Sequence, residues 1–245
     1  MPRADGAVFG AYALQRVHIP RYDRNLDGYL DAWRKENVDL DGVYSGFLGS
    51  AEQVAIIKRL YADYPHALRL VDPVMGDGGE IYATYTSELC EAMGTLVDGA
   101  DVLMPNLTEA SMLTGRTYGQ NIDNAEVNGI IDALLALGAK NVVLKGVDRQ
   151  DGIIRNYVAS ATSGASGKQE IAHDKLPFMT HGTGDAFASA LCGAVMAGRP
   201  LAESAHIAGE FVRHAMESTQ FQPNHTERGV SFELNLDELT RLVRR

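Results

Sequence analysis

Positive charge is scarce in this sequence. Twenty-two lysines and arginines stand against 32 aspartates and glutamates, for a formal charge of -10 at neutral pH. Binding a nucleic-acid backbone calls for a basic face, so nucleic acid is excluded as an expected partner. An anionic nucleotide bound here needs local help from a metal ion or from helix ends. Cysteine is scarcer still. Only Cys90 and Cys192 are present, each inside an apolar helical pattern, with no CxxC pair and no zinc-ligand spacing. We expect two buried thiols in a reducing compartment. Long apolar runs are also missing: none approaches the ~20 residues of a membrane span. Met1 to Gly6 lead into no signal-type apolar core. The expected location is therefore the cytoplasm, with no membrane partner.

What is present fits an α/β enzyme. Hydrophobic residues make up 45% of the 245 and charged residues 22%, ordinary values for a globular chain. That length suits one α/β domain, residues 1–245, burying about 70% of its unfolded surface. Residues 1–25 are the least regular part, interrupted by Gly6, Gly10 and Pro20. After them, helices are expected at about 26–35, 51–64, 87–97 and 124–137, and then at 184–197, 201–217 and 236–242. Ser50 with Gln53 is expected to form a capping box. Strands are expected at about 42–46, 68–71, 101–104, 141–144 and 153–160, with Lys145-Gly146 read as a loop. Strands alternating with helices imply right-handed crossovers and a mainly parallel central sheet with helices on both faces.

The polar clusters follow the carboxyl ends of these strands, where open α/β sheets bind their ligands. Asp72 and Asp77 flank Pro73-Val74-Met75-Gly76 and precede Gly78-Gly79. Flexible backbone there can approach a polyanion, and hard carboxylate oxygens suit magnesium; the same aspartates also suit an ordinary turn. Asn106 and Glu109 follow the next strand, with helix capping as the competing reading. Gly182-Thr183-Gly184-Asp185 opens a helical run. Amides bared by the turn would bind an anion, with a carboxylate at the edge to serve phosphoryl transfer. Alone, the motif better suits an ordinary glycine turn with Asp185 as N-cap.

Three lookalikes fail. In Thr162 to Gln169 a threonine occupies the first required P-loop glycine and Gln169 replaces the metal-holding hydroxyl. Phe187 stands at the third glycine of a dinucleotide fingerprint. Ser45 in Gly42-Val43-Tyr44-Ser45-Gly46 is one place late for a nucleophile elbow.

Four stretches in order, Tyr44-Ser45-Gly46-Phe47-Leu48-Gly49-Ser50, Asp72-Pro73-Val74-Met75-Gly76-Asp77, Pro105-Asn106 with Glu109, and Gly182-Thr183-Gly184-Asp185, resemble the ribokinase-like superfamily. Within it they resemble the pyridoxal/pyridoxamine (vitamin B6) kinases. The resemblance implies a three-layer fold and ATP- and magnesium-dependent phosphorylation of the 5′-hydroxymethyl group of a B6 vitamer, with a homodimer as the expected assembly. It makes Asp185 the catalytic base beside the vitamer, and Gly182, Thr183 and Gly184 the anion hole. Asp72, Asn106, Glu109, Tyr82 and Lys145 fall on positions that handle the ATP phosphates. Asp77 and Glu109 fall on those that handle magnesium, and Tyr44 on one lying against the pyridine ring. The family's first strand, Gly/Ser loop and Thr-rich ring-gripping segment are not found in residues 1–40, so a shortened or altered N-terminus is expected. Lys145, where many B6 kinases carry Thr or Ser, is similar to the hydroxymethylpyrimidine kinases of thiamin synthesis. Those usually carry Cys at the position of Asp185 and lack Gly-Asp after Asp-Pro-Val-Met. B6 kinase is the first expectation; a hydroxymethylpyrimidine kinase and a nucleotide-binding remnant with little turnover are the alternatives.

Overall fold

The computed structural model describes residues 23–119, 121–163 and 167–244. The expectations for the irregular N-terminus lie, up to residue 22, outside the described residues. Two compact units are described, residues 23–172 and 173–244.

The larger unit opens with α1 (Asp23–Lys35). Leu26, Leu30 and Trp33, at helical spacing, pack on the core, while Tyr29 is exposed. Arg34 reaches Asp63 at 3.0 Å and Arg59 pairs with Asp27, tying α1 to α2 (Ala51–Asp63). Ser50 caps α2 by accepting the Gln53 amide at 3.3 Å. The expected reciprocal bond is made one residue earlier, because Gln53 Oε1 accepts from the Gly49 amide at 2.7 Å.

The central sheet runs β1 (Gly42–Ser45), β2 (Leu68–Val71), β5 (Val102–Leu103), β6 (Asn141–Asp148), β7 (Ile153–Ser160) and β8 (Gln169–Asp174). The first four are mutually parallel; β6 and β7 pair antiparallel. β6 extends past the expected end, so Lys145-Gly146 lies inside a strand, at a bulge between Leu144 and Val147. The bulge ends the alternation that reads as strand, which is why the sequence there looks like a loop. β8 has no counterpart among the expected strands: its Gln-Glu-Ile-Ala-His-Asp is polar and exposed except at half-buried Ile171 and buried His173.

A short hairpin of β3 (Gly76–Asp77) and β4 (Glu80–Ile81) follows β2. Its two-residue turn, Gly78-Gly79, has φ of 61° and 88° at both positions, the arrangement that matches strand twist and that side chains resist. Helices α3 (Ser87–Gly94), α4 (Leu107–Thr114) and α5 (Asn124–Ala136) complete this unit, α3 stopping three residues before its expected end. Between them these elements bury Val71, Met93, Leu103, Ile131, Leu134 and Leu144. Cys90 is only half-buried, short of the expected burial, because its helix face borders solvent; Cys192, in the other unit, is buried.

The smaller unit pairs α6 (Thr183–Met196) with α7 (Leu201–Thr219), followed by α8 (His225–Arg228), a 3-10 turn at Phe232–Asn235 and α9 (Leu236–Arg244). Phe187, Leu191 and Ala194 on α6 and Ala208, Phe211 and Ala215 on α7 are buried. Glu210 on α7 accepts from Arg213 at 2.9 Å and lies 2.9 Å from His173 Nδ1. The Arg213 guanidinium, with His173 assisting, holds its carboxyl down at about 2. A carboxyl depressed in the folded state contributes stability above its ordinary pKa, lost as pH falls through the depressed one. Glu210→Gln is therefore expected to be less stable than the parent at pH 7, with the gap closing between about pH 4.5 and 2. Urea unfolding at pH 7 and pH 3 checks this; an equal gap at both would contradict it. Among the described residues, no helix is long and apolar enough to cross a membrane.

Candidate functional site

In the larger unit the strand register itself assembles the first group of candidate residues. Ser45 pairs with Val71, and the next amide, that of Asp72, donates to the Ser45 carbonyl at 2.8 Å. Met104 donates to the Val71 carbonyl at 2.8 Å. Three residues beyond the Leu103–Val142 pair, Asn106 and Lys145 form one more parallel bridge, and the Lys145 amide donates to Pro105 at 2.9 Å. β1, β2 and β5 thus end in step while β6 runs on beside them, which brings Asp72 and Asn106, just past their strands, to the level of Lys145 within β6.

Asp72 is 1% exposed and its carboxylate is in contact with the Lys145 ammonium. Glu109 is equally buried and is fixed by its helix: Asn106 Oδ1 accepts the Glu109 amide at 2.8 Å while Glu109 Oε2 accepts the Asn106 amide at 2.7 Å. That reciprocal box caps α4. Asn106 Nδ2 also donates to the Gly76 carbonyl at 2.8 Å, and the Met75 amide to Glu109 Oε1 at 3.4 Å, docking the hairpin on the helix start. Capping and cluster are therefore the same contacts. Burial pushes the Glu109 carboxyl well above the ordinary carboxylate range; Lys145 opposes the shift and Asp72 adds to it. A carboxyl raised in this way by burial is a property common to functional clusters.

The other candidates of this unit are placed around that cluster. Asp77 is exposed in the hairpin and accepts from the Gly78 amide at 2.8 Å. Tyr82 is half-buried against the core, with its amide donating to Met75 at 3.0 Å. Tyr44 is 37% exposed and its ring lies back over Gly46, where an added Cβ would come 3.2 Å from the phenol oxygen. Phe47, 41% exposed, meets Tyr85 edge-on at 5.6 Å. Sequence reasoning missed Thr108, whose hydroxyl accepts the Gly79 amide at 2.9 Å; the Gly-Gly pair was the available signal. Tyr61, which shares a 3.1 Å hydrogen bond with Ser45, carried no signal.

In the smaller unit, Gly182 is the N-cap of α6 with φ 80°, and it supplies no capping side chain. The starts of α2, α3, α4 and α5 are each capped by a side chain, from Ser50, Thr86, Asn106 and Asp123, whereas α7, like α6, has none. The first amides of α6, from Thr183 and Gly184, thus keep the geometry of an anion site. Asp185 is exposed in the first turn of α6. It is not the N-cap, because the left-handed turn at Gly182 starts the helix three residues earlier. Val230 donates to the His181 carbonyl at 2.9 Å and Thr180 to the His225 carbonyl at 3.0 Å, fixing the turn from behind, a support the sequence did not announce.

A family profile described as phosphomethylpyrimidine kinase matches residues 29–231. The chain belongs to that family. It is a kinase of a group whose members act in thiamin or B6 metabolism, and both kinds of relative are found. The hydroxymethylpyrimidine/phosphomethylpyrimidine kinase of Bacillus subtilis is 28% identical over 213 residues, covering 86% of this chain and 74% of that protein. The pyridoxine/pyridoxal/pyridoxamine kinase of Bordetella avium is 32% identical over 203 residues, covering 80% and 67%. A solved structure from Bacteroides thetaiotaomicron, assigned as a phosphomethylpyrimidine kinase and crystallised with pyridoxal, superposes with a TM-score of 0.85 at 26% identity, covering 93% and 80%. The ribokinase-like α/β fold with a mainly parallel sheet, implied by the motifs, is the fold of this chain.

Proposed function

We propose that this kinase transfers the γ-phosphoryl group of ATP to the 5′-hydroxymethyl group of a B6 vitamer. The observation that carries the reading is Asp185, an exposed carboxylate in the first turn of a helix whose start has no capping side chain. As the vitamer oxygen attacks phosphorus, Asp185 accepts its proton, and the amides of Gly182, Thr183 and Gly184 face the charge spreading over the phosphoryl oxygens. Asp72, Asn106, Glu109, Tyr82 and Lys145 serve the ATP phosphates, Lys145 supplying the positive charge of that group. Tyr44 supplies an exposed aromatic face for the pyridine ring. The relative crystallised with pyridoxal supports this choice of acceptor.

Among the described residues no three His, Cys, Asp or Glu side chains gather into a metal cage. Magnesium keeps several waters and uses one or two carboxylates plus substrate phosphates. Asp77, exposed, and Glu109, through water, are the oxygens that would hold it; bound there, the ion would screen phosphate charge.

Lys145 favours a second acceptor, a hydroxymethylpyrimidine, by its likeness to kinases of thiamin synthesis. The experiment sets pyridoxal, pyridoxamine, pyridoxine and hydroxymethylpyrimidine side by side with ATP and magnesium and identifies the phosphorylated products. We expect a vitamer to be turned over at least tenfold more efficiently than the pyrimidine. The reverse order would assign the chain to the second acceptor, and no turnover of any of the four would end both readings.

A further inference from the structure

We infer that the larger unit carries a second ligand site, for a small phosphate-type anion, near the amino end of β2 and away from the strand ends that carry Asp72 and Lys145. A pocket of about 250 Å³ lies there between Lys58 and Tyr61 of α2, Arg69 at the start of β2, and Thr95, Leu96 and Asp98 after α3. Nothing in the proposed kinase chemistry uses these residues.

The charges are the first argument. Several arginines of this acidic chain reach carboxylates, among them Arg34, Arg59, Arg155, Arg199, Arg213 and Arg241. Among the described residues, neither Lys58 nor Arg69 makes an ion pair, and both face the same pocket. Two positive charges on the wall of one pocket favour an anion within it.

The second argument is that Arg69 is held in place. Its guanidinium lies over the Tyr61 ring, 5.1 Å from the centroid, and Nη1 rests against Gly99, where a Cβ would come within 3.1 Å. Its backbone amide is anchored to Asp101 at 2.8 Å. A guanidinium whose plane is fixed by stacking presents its fork to a tetrahedral oxyanion with little further loss of freedom, and a neighbouring ammonium adds a mobile point charge. Asp98, the one carboxylate on the wall, packs against the turn at Gly138, where a Cβ would fall 2.4 Å from its Oδ1. The Thr95 hydroxyl donates to the Ala92 carbonyl at 2.7 Å, so recognition is left to the two cations. The volume has room for inorganic phosphate or for the phosphate end of a small ester.

The Tyr61 ring under Arg69 shares its hydroxyl hydrogen bond with Ser45, whose carbonyl accepts the amide of Asp72.

The test is calorimetric titration of the whole protein with inorganic phosphate and, separately, with glycerol phosphate, in the parent, Lys58→Ala and Arg69→Gln. We expect saturable binding of at least one anion, weakened ~tenfold or more by each substitution, as the loss of a charge-assisted contact implies. Tighter binding of the ester than of free phosphate would identify a phosphorylated metabolite as the occupant, and the reverse order would identify the free ion. Lys58 is exposed, so Lys58→Ala keeps the fold and decides the outcome even where Arg69→Gln does not fold. Unchanged affinity for both anions in Lys58→Ala, or no saturable binding by the parent, overturns the proposal.

Discussion

Asp185→Asn is expected to lower vitamer phosphorylation ~10²-fold or more, the usual scale for loss of a general base. The change is nearly isosteric. Asp185 is exposed, its carboxylate caps no helix, and the α6 start is set by the Gly182 turn and its backing from Val230, so the fold does not depend on it. The amide can still hydrogen-bond the substrate hydroxyl, but it cannot take the proton. Losing one negative charge from a helix first turn costs only ~0.3–1 kcal/mol. ATP affinity should change little, because the residues proposed to serve its phosphates are elsewhere in the chain. Steady-state turnover and nucleotide titration of the same preparation separate the two effects. Turnover within a few-fold of the parent would remove Asp185 from the chemistry.

How much of this was legible in the sequence varies by element. The helices were the clearest part, since Leu26, Leu30 and Trp33, or the Phe187 to Leu191 run, repeat at helical period and bury that face. The parallel order of β1, β2, β5 and β6 followed from strands alternating with helices. What failed has local causes. The bulge inside β6 interrupts the period on which strand recognition depends, and β8 has only one fully buried side chain to mark its inward face. The hairpin was written in Gly78-Gly79, but two-residue strands are too short to show alternation.

For the candidate site, the sequence named the residues but not their contacts. By sequence Asn106 and Glu109 suit either helix caps or ligands; the structure makes them a cap that also docks the hairpin through Gly76 and Met75. A three-residue spacing predicts the first contact, whereas the second joins segments 30 and 34 residues apart. Lys145 against Asp72 spans 73 residues, and only the register of three parallel strands brings them together. Long-range pairs of this kind are set by tertiary structure and leave no mark in local pattern.

That pair carries the largest expected effect on stability. Lys145→Met keeps the length and volume of the stem and removes the ammonium, while Asp72 stays 1% exposed beneath it. Breaking a buried ion pair from one side leaves an uncompensated charge in a low-dielectric place, at a cost of ~3–5 kcal/mol. Glu109 adds to the loss, because Lys145 is the positive charge that opposes its shift. With a melting shift of roughly 2–4 °C per kcal/mol for a chain of this size, Tm should fall by about 10 °C. The contribution of the charge is isolated by removing the second partner as well. In Lys145→Met/Asp72→Leu no charge of the pair remains, and apolar replacement of a whole buried pair is often close to neutral. The double variant should therefore recover at least half of the loss, although neither form is expected to be active. Urea unfolding of the parent, both single variants and the double variant completes the cycle. If Lys145→Met stays within ~1 kcal/mol of the parent, a value typical of exposed pairs, or if the double variant is no more stable than either single one, the contact does not hold these strand ends together.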